Sequence, residues 1–287
     1  MNVTTYHTPA LIGVVGAGTM GAGIAEALAS APGHEVILCD ANIELAERGK
    51  QRIEEGLARR VRSGKLEANS ADELSSRIRV AEIETLTDRE LIVEAIVEQL
   101  EPKRSLFERL DGITVAGAVL ATNTSSLSIT EIGRGLSHAV VGMHFFNPAP
   151  VMKLVEVIAG AATPPEAIVK AKAIAERIGK TPVEVAEGAG FVVNRILIPM
   201  INEAVEVLGA GTASAEDIDA ALRLGANHPM GPLALGDLVG LDVVLAIMEV
   251  LQSETGDPKY RPHPILRKYV RAGWLGRKTG RGFHVYP

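Results

Sequence analysis

The sequence predicts an α/β protein: a Rossmann-type, doubly wound, mostly parallel sheet domain over residues 1–188, then an all-α C-terminal domain over residues 189–287. Three observations carry this. A glycine-rich turn sits between an apolar run and an Ala-rich helical segment near the start of the chain. Short apolar runs then alternate with helical patterns as far as Val185. Beyond Phe191 strand patterns nearly vanish and only helical ones remain.

The chain is organised around Leu11 to Asp40. Leu11 to Val15 reads as a buried parallel strand running into Gly16-Ala17-Gly18-Thr19-Met20-Gly21, and a helix is predicted from Ala22 to Ala31. A second strand, Glu35 to Cys39, ends at Asp40, nineteen residues past Gly21. Each part has a task in dinucleotide binding. Gly16 permits the tight turn, Gly18 lets the backbone approach a pyrophosphate, and Gly21 lets helix and strand pack closely. The pyrophosphate is expected on the N–H groups and positive dipole end of the helix. Asp40 is placed to accept hydrogen bonds from an adenosine ribose diol. A bare GxGxxG is weak, but here strand, turn, helix, second strand and acid fall in register within a unit of ~30 residues.

Composition sets the outer limits. The 287 residues suffice for a dinucleotide domain and a second domain, with 47% hydrophobic and 22% charged residues. Aromatics are only 3%, so the core must be built from Ala, Val, Ile and Leu. A net charge of -6 argues against a nucleic-acid partner. No apolar run approaches the ~20 residues that span a bilayer, so no membrane partner is expected. The first ten residues, MNVTTYHTPA, carry neither a basic nor an apolar leader segment, and a cytosolic (cytoplasmic) location is expected. Cys39, the single cysteine, excludes an intramolecular disulfide and a Cys-based zinc site; it reads as a small buried hydrophobe, and no metal is expected.

Residues 43 to 65 read as one helix carrying Arg48, Lys50, Arg52, Arg59, Arg60, Arg62 and Lys65. Two readings stay open: a solvated face, or a positive surface suited to a phosphorylated substrate tail. A short helix is predicted at Ser70 to Arg77, a strand at Arg89 to Ile96, a helix at Glu101 to Leu110 and a strand at Val119 to Thr122. That strand runs into the polar loop Asn123-Thr124-Ser125-Ser126, placed where doubly wound sheets carry their sites, though it also suits a cap for a helix at Leu127 to Gly133. Strands at Ala139 to Met143 and Val151 to Ile158 flank His144-Phe145-Phe146-Asn147-Pro148. Glu156 lies inside an apolar run and must face solvent or be paired. The two strand ends can bring it to His144, making a candidate acid–base pair.

A helix at Pro165 to Ile178 and a strand at Pro182 to Val185 complete the first domain. Gly188-Ala189-Gly190 marks the boundary and is expected to serve as a hinge. Helices follow at Phe191 to Leu208, Ala215 to Leu224 (capped by Ser214), Leu233 to Ser253 and Pro264 to Ala272. Their apolar richness suggests a homodimer interface.

Taken together, GVVGAGTMGAGIAE, VEAIVE, ATNTSSLSI, GMHFFNPAPVMKLVEVI, GFVVNRILIPMINEA, HPMGPLALGDLVGLD and GRKTGRGF resemble the 3-hydroxyacyl-CoA dehydrogenase family, most nearly its short bacterial members acting on 3-hydroxybutyryl-CoA. The likeness covers residues 10 to 286, and with no hydratase-like module in the sequence the stand-alone enzyme is expected instead of the fused multifunctional one. It implies an NAD-dependent dehydrogenase of acyl-CoA thioesters and a homodimer built through the helical domain. It implies that His144 is the catalytic base, that Glu156 orients it, and that Ser125 and Asn194 hydrogen-bond the substrate's 3-oxygen and its surroundings. Gly16, Gly18 and Gly21 with the intervening Thr19 and Met20, then Asp40, Glu98, Lys103, Asn147 and Lys278, fall where the family contacts NAD. Arg59, Arg62 and Lys65 fall where a CoA tail is expected. Gly56 stands where mitochondrial relatives have a CoA-contacting serine, and Ser63 at or near a lysine of theirs, so individual nucleotide contacts do not carry over. Other acyl lengths, or an acyl-carrier-protein thioester, remain as alternative substrates. A non-catalytic dinucleotide-binding protein is a third reading, against which the set of Ser125, His144, Glu156 and Asn194 argues.

Overall fold

In the computed structural model, which describes residues 10–287, the chain divides into two units, the first ending at Glu187 and the second running from Gly188 to Pro287. The first unit carries an eight-stranded sheet. Its strands are β1 (Leu11–Val15), β2 (Glu35–Cys39), β3 (Ile78–Val80), β4 (Leu91–Glu94), β5 (Val119–Thr122), β6 (Ala139–Phe145), β7 (Leu154–Ala159) and β8 (Thr181–Ala186). Their order across the sheet is β3-β2-β1-β4-β5-β6-β7-β8. All neighbours are parallel except β6 and β7. The order reverses between β1 and β4, the crevice where open α/β sheets take their ligands.

The connecting helices are α1 (Thr19–Ala29), α2 (Ile43–Arg62), α3 (Ala68–Ser76), α4 (Leu100–Ile113), the single turn α5 (Ile129–Ile132) and α6 (Pro165–Arg177). Strands buried on both faces read as unbroken apolar runs. Accordingly, Ile12, Val14, Leu38 and Val93 pack with Ile24 and Leu28 of α1 in one core. Each such side chain contributes roughly 1.5–3 kcal/mol on burial. Cys39 is wholly buried and its thiol is pushed up to about 12 by that burial.

The Rossmann-type sheet and the helical second half agree with the sequence prediction; several boundaries do not. The strand expected from Val151 begins at Leu154, because Val151 and Met152 donate their N–H groups to Pro148 O in a turn. The helix expected at Leu127 to Gly133 shrinks to α5, capped by Ser128 accepting from Glu131 N. Strand β3, only three residues long, gave no periodic signal.

The second unit is helical: α7 (Val193–Gly209), α8 (Ala215–Gly225), α9 (Pro232–Val239), α10 (Leu241–Thr255) and α11 (Pro264–Arg271). Ile198, Ile201, Leu241, Val244, Met248, Leu251 and Leu266 form its core. The single helix expected at Leu233 to Ser253 is two. Gly240, at φ 105°, ends α9 and starts α10, a backbone state open to glycine and strained for other residues. No helix among the described residues is long and apolar enough to cross a membrane.

Candidate active site

The glycine turn fits a dinucleotide. Gly16 adopts φ 101°, and a Cβ there would lie 2.5 Å from Ala95 O; one on Gly21 would lie 1.6 Å from Gly16 O. Gly18 is different: a Cβ would meet nothing within 4 Å, so its bareness opens space instead of relieving a clash. Gly18 caps α1, Thr19 is exposed and Met20 half-buried, and no acidic residue occupies the first turn, so the helix's positive end stays available to an anion. Asp40 is pinned at the tip of β2: its carboxylate accepts from Ala17 N at 2.6 Å and Ala41 N at 2.7 Å. Arg52, absent from the sequence reading of this turn, donates to Ala17 O at 3.0 Å.

A buried histidine–carboxylate pair is built by the antiparallel pairing of β6 with β7. Register places His144 of β6 opposite Glu156 of β7. His144 Nδ1 lies 2.7 Å from Glu156 Oε2, with both side chains buried. A carboxylate accepts from Nδ1–H, which in the neutral ring leaves Nε2 as the acceptor. On that side Ser125 Oγ stands 3.1 Å from Nε2. Asn123, in the same loop, accepts from Phe145 N at 2.9 Å and so ties the loop to β6 beside the histidine.

Glu98 organises that loop. Its Oε1 accepts from Thr124 Oγ1 at 2.6 Å, Ser125 N at 2.8 Å, and Ser126 N and Oγ at 3.2 and 3.3 Å. Its other oxygen lies 3.3 Å from Lys103 Nζ. Lys103 is 1% exposed and donates to Glu94 Oε1 at 2.6 Å. Glu94, at the end of β4, is fully buried and also accepts from Ile96 N and Thr122 Oγ1, each at 2.7 Å. Burial pushes its carboxyl above the usual range against the pull of Lys103. Glu94, like Glu156, is an acid inside an apolar run, and the same signal marks it in the sequence.

The basic helix divides. Arg59 and Lys65, with Gly56, Ser63, Pro150 and Val151, line a cleft of about 370 Å³. Arg60 faces the same cleft but is paired with Glu26. Arg62 lines a separate hollow between α2 and α3, with Leu57, Val61 and Ala71, so the three cations expected together do not converge. Asn147 is exposed at the mouth of the β6–β7 loop. That loop is stapled from below by Lys180, which donates to Ala149 O and Met152 O, both at 2.6 Å. In the second unit, Asn194 is buried in the first turn of α7. Lys278 is exposed and bridges to Asp242 at 2.6 Å.

Residues 11–188 match the NAD binding domain of 3-hydroxyacyl-CoA dehydrogenase, and residues 190–286 match that family's C-terminal domain. The chain is 51% identical over 278 residues to a 3-hydroxybutyryl-CoA dehydrogenase of Clostridioides difficile, covering 96% of this chain and 99% of the relative. It is 50% identical over 276 residues to a probable 3-hydroxybutyryl-CoA dehydrogenase of Bacillus subtilis, covering 95% and 96%. Among solved structures, an (S)-3-hydroxybutyryl-CoA dehydrogenase from Ralstonia eutropha superposes with a TM-score of 0.92 at 44% identity, covering 98% of this chain and all of that one. With both halves matched in order and this level of identity across nearly the whole chain, the protein belongs to the 3-hydroxyacyl-CoA dehydrogenase family.

Proposed function

We propose that this chain catalyses the reversible oxidation of (S)-3-hydroxybutyryl-CoA to acetoacetyl-CoA with NAD. The observation that carries the reading is the buried His144–Glu156 pair with Ser125 on the ring's other nitrogen. The names of the relatives supply the substrate. When bound, the nicotinamide accepts or returns the hydride of substrate C3.

The chain's own residues do the rest. His144 Nε2 takes the proton of the 3-hydroxyl in oxidation and returns it in reduction. Glu156 holds the ring by Nδ1, setting the tautomer and stabilising the imidazolium. Ser125 offers a hydrogen bond to the 3-oxygen as charge develops on it, and the family resemblance gives Asn194 a part in the same step. The turn from Gly16 through Thr19 and Met20 to Gly21 receives the pyrophosphate and Asp40 the adenosine ribose. Glu98 and Asn147 flank the cofactor, and the family resemblance assigns Lys278 to it as well. Arg59 and Lys65, not Arg62, receive the phosphates of the CoA tail.

The second unit also serves a homodimer. Ile196, Leu238 and Val243 are large apolar side chains left exposed on it, at 68%, 49% and 40%. Sedimentation at micromolar concentration should return twice the chain mass; a monomer removes the dimer.

An initial-rate panel tests the substrate: acetoacetyl-CoA, longer 3-ketoacyl-CoAs and an acetoacetyl carrier protein, each with NADH and NADPH. The four-carbon CoA thioester with NADH should show the highest kcat/KM. A steady rise towards ten or more carbons, or preference for the carrier protein, overturns the proposal.

A further inference from the structure

We infer that Glu26 sets how tightly this protein grips the phosphates of a CoA tail. Its carboxylate holds Arg60 in an internal ion pair, which leaves Arg59 and Lys65 to serve a cleft that three cations face. The inference deepens the reading of that cleft given above and rests on it.

The pair is assembled from two helices. Glu26 belongs to α1, within a stretch of buried residues that runs from Ile24 to Ala29. A carboxylate in that setting is costly unless it is paired. Burial raises its carboxyl above the ordinary range, and the Arg60 guanidinium pulls the other way. Arg60 comes from the last turn of α2 and donates to Glu26 Oε1. Beyond it the chain folds back on the helix end. Ser63 N donates to Arg59 O at 3.1 Å, while Lys65 N and Ser63 Oγ donate to Arg60 O at 2.9 and 3.1 Å. That turn brings Arg59, Arg60 and Lys65 to one cleft, with Glu26 on its wall.

The end of a helix is a poor place for an anion, because it presents carbonyl oxygens and the negative end of the dipole. Side-chain cations must therefore supply the attraction. Arg60 supplies little while it is paired. A phosphate approaching it competes with a carboxylate already out of water, its side chain only 11% exposed. The pair also adds no net charge to the cleft. Freed from Glu26, Arg60 would offer the planar fork that suits phosphate. Restraint there has a use in turnover. Substrate and product carry the same tail, so tighter tail binding lowers KM without speeding the chemical step, and it delays product release.

The test uses the full-length enzyme with NADH and compares Glu26→Gln with Glu26→Gln/Arg60→Gln. Two substrates are used: acetoacetyl-CoA, and S-acetoacetyl-N-acetylcysteamine, which keeps the thioester but has no phosphates. Glu26→Gln should lower KM for acetoacetyl-CoA about three- to tenfold at low salt, the worth of one partly exposed charge-assisted contact. The gain should shrink as salt rises, and kcat should not increase. KM for the truncated thioester should stay within about twofold. The double variant should return KM for acetoacetyl-CoA to within about twofold of the wild type, because the pair it removes gave the tail nothing.

An unchanged or raised KM for acetoacetyl-CoA in Glu26→Gln overturns the inference. An equal fall with both thioesters does the same, since it marks a change in the shape of the cleft. So does a double variant with KM several-fold above the wild type, which would mean that Arg60 serves the tail while paired. That last comparison decides by itself if Glu26→Gln fails to fold, because the double variant strands neither charge. Arg59→Glu and Lys65→Glu separate the inference from the reading beneath it. If both raise KM while Glu26→Gln leaves it unchanged, the inference falls alone. If neither raises it, the cleft is not the seat of the tail and the underlying reading falls too.

Discussion

His144 and Glu156 are direct cross-strand partners in the β6–β7 ladder, and their side chains meet at 2.7 Å on the buried side. Twelve residues separate them in the chain, yet the antiparallel turn makes them neighbours. A directly opposed pair has its Cβ atoms only ~4.5–5.5 Å apart, so a hydrogen bond between the two side chains needs little further adjustment.

If the pair acts as a unit, its loss is not additive. His144→Gln should lower kcat by about 10²–10⁴-fold, the usual worth of a general acid–base group, with NADH binding retained. Glu156→Gln should also slow turnover, since an amide does not stabilise the imidazolium as a carboxylate does. The double variant should be little slower than His144→Gln alone. Steady-state kinetics with thermal melts check this, and multiplying penalties would separate the two residues.

Cofactor choice should follow Asp40. Its carboxylate is held by Ala17 N and Ala41 N, so it has no easy way to swing aside for a 2′-phosphate, and NADH should be strongly preferred. Asp40→Ala should narrow that preference by at least about tenfold, because Arg52 already sits on Ala17 O and becomes available to a phosphate. The ratio of kcat/KM for the two cofactors measures this. An unchanged ratio in Asp40→Ala would mean that Arg52 takes no part.

The CoA tail distinguishes the cations of α2 and of the turn that follows it. Arg59→Glu and Lys65→Glu should raise KM for acetoacetyl-CoA and leave kcat largely intact, with an effect that shrinks as salt rises. Arg62→Glu, on the hollow shared with α3, should leave KM within about twofold. Equal effects at all three positions would mean that the helix acts as a diffuse positive field.

Stability should depend on His34. It is wholly buried, with Nδ1 2.8 Å from Leu28 O and Nε2 without a hydrogen-bond partner among the described residues. Burial pushes its folded-state pKa below the ordinary 6.5. Below pH 6.5 the unfolded chain therefore binds a proton that the folded chain refuses, and stability falls as pH drops from 6.5 towards the folded-state value. Above 6.5 both states are neutral and the effect is gone. His34→Asn keeps a donor for Leu28 O without a titrating group. Its melting temperature should fall less than that of the wild type between pH 7 and pH 5. Parallel curves would reject His34 as the cause.

Much was legible in the residues alone. The glycine turn, the apolar runs and the acid at the tip of β2 follow local rules: backbone freedom, periodicity and strand length. Glu156 announced itself as a charge in an apolar run, and the strand ends on either side of the proline-containing loop pointed to His144 as its partner. What local rules do not carry is direction and register. Sequence did not tell that β7 runs antiparallel to β6, which brings His144 and Glu156 face to face. The break at Gly240 was hidden because a helical pattern continues across it in Leu241 and Val244. The separation of Arg59 and Lys65 on one cleft from Arg62 on another depends on α2 ending at Arg62, short of the expected residue 65, and on which of its faces α3 and the β6–β7 loop cover. Sequence determined which groups this protein has and which local shapes they favour. Tertiary structure alone decided which of them meet, because the strength of an ion pair or hydrogen bond depends on distance and burial, set by strands and helices far apart in the chain.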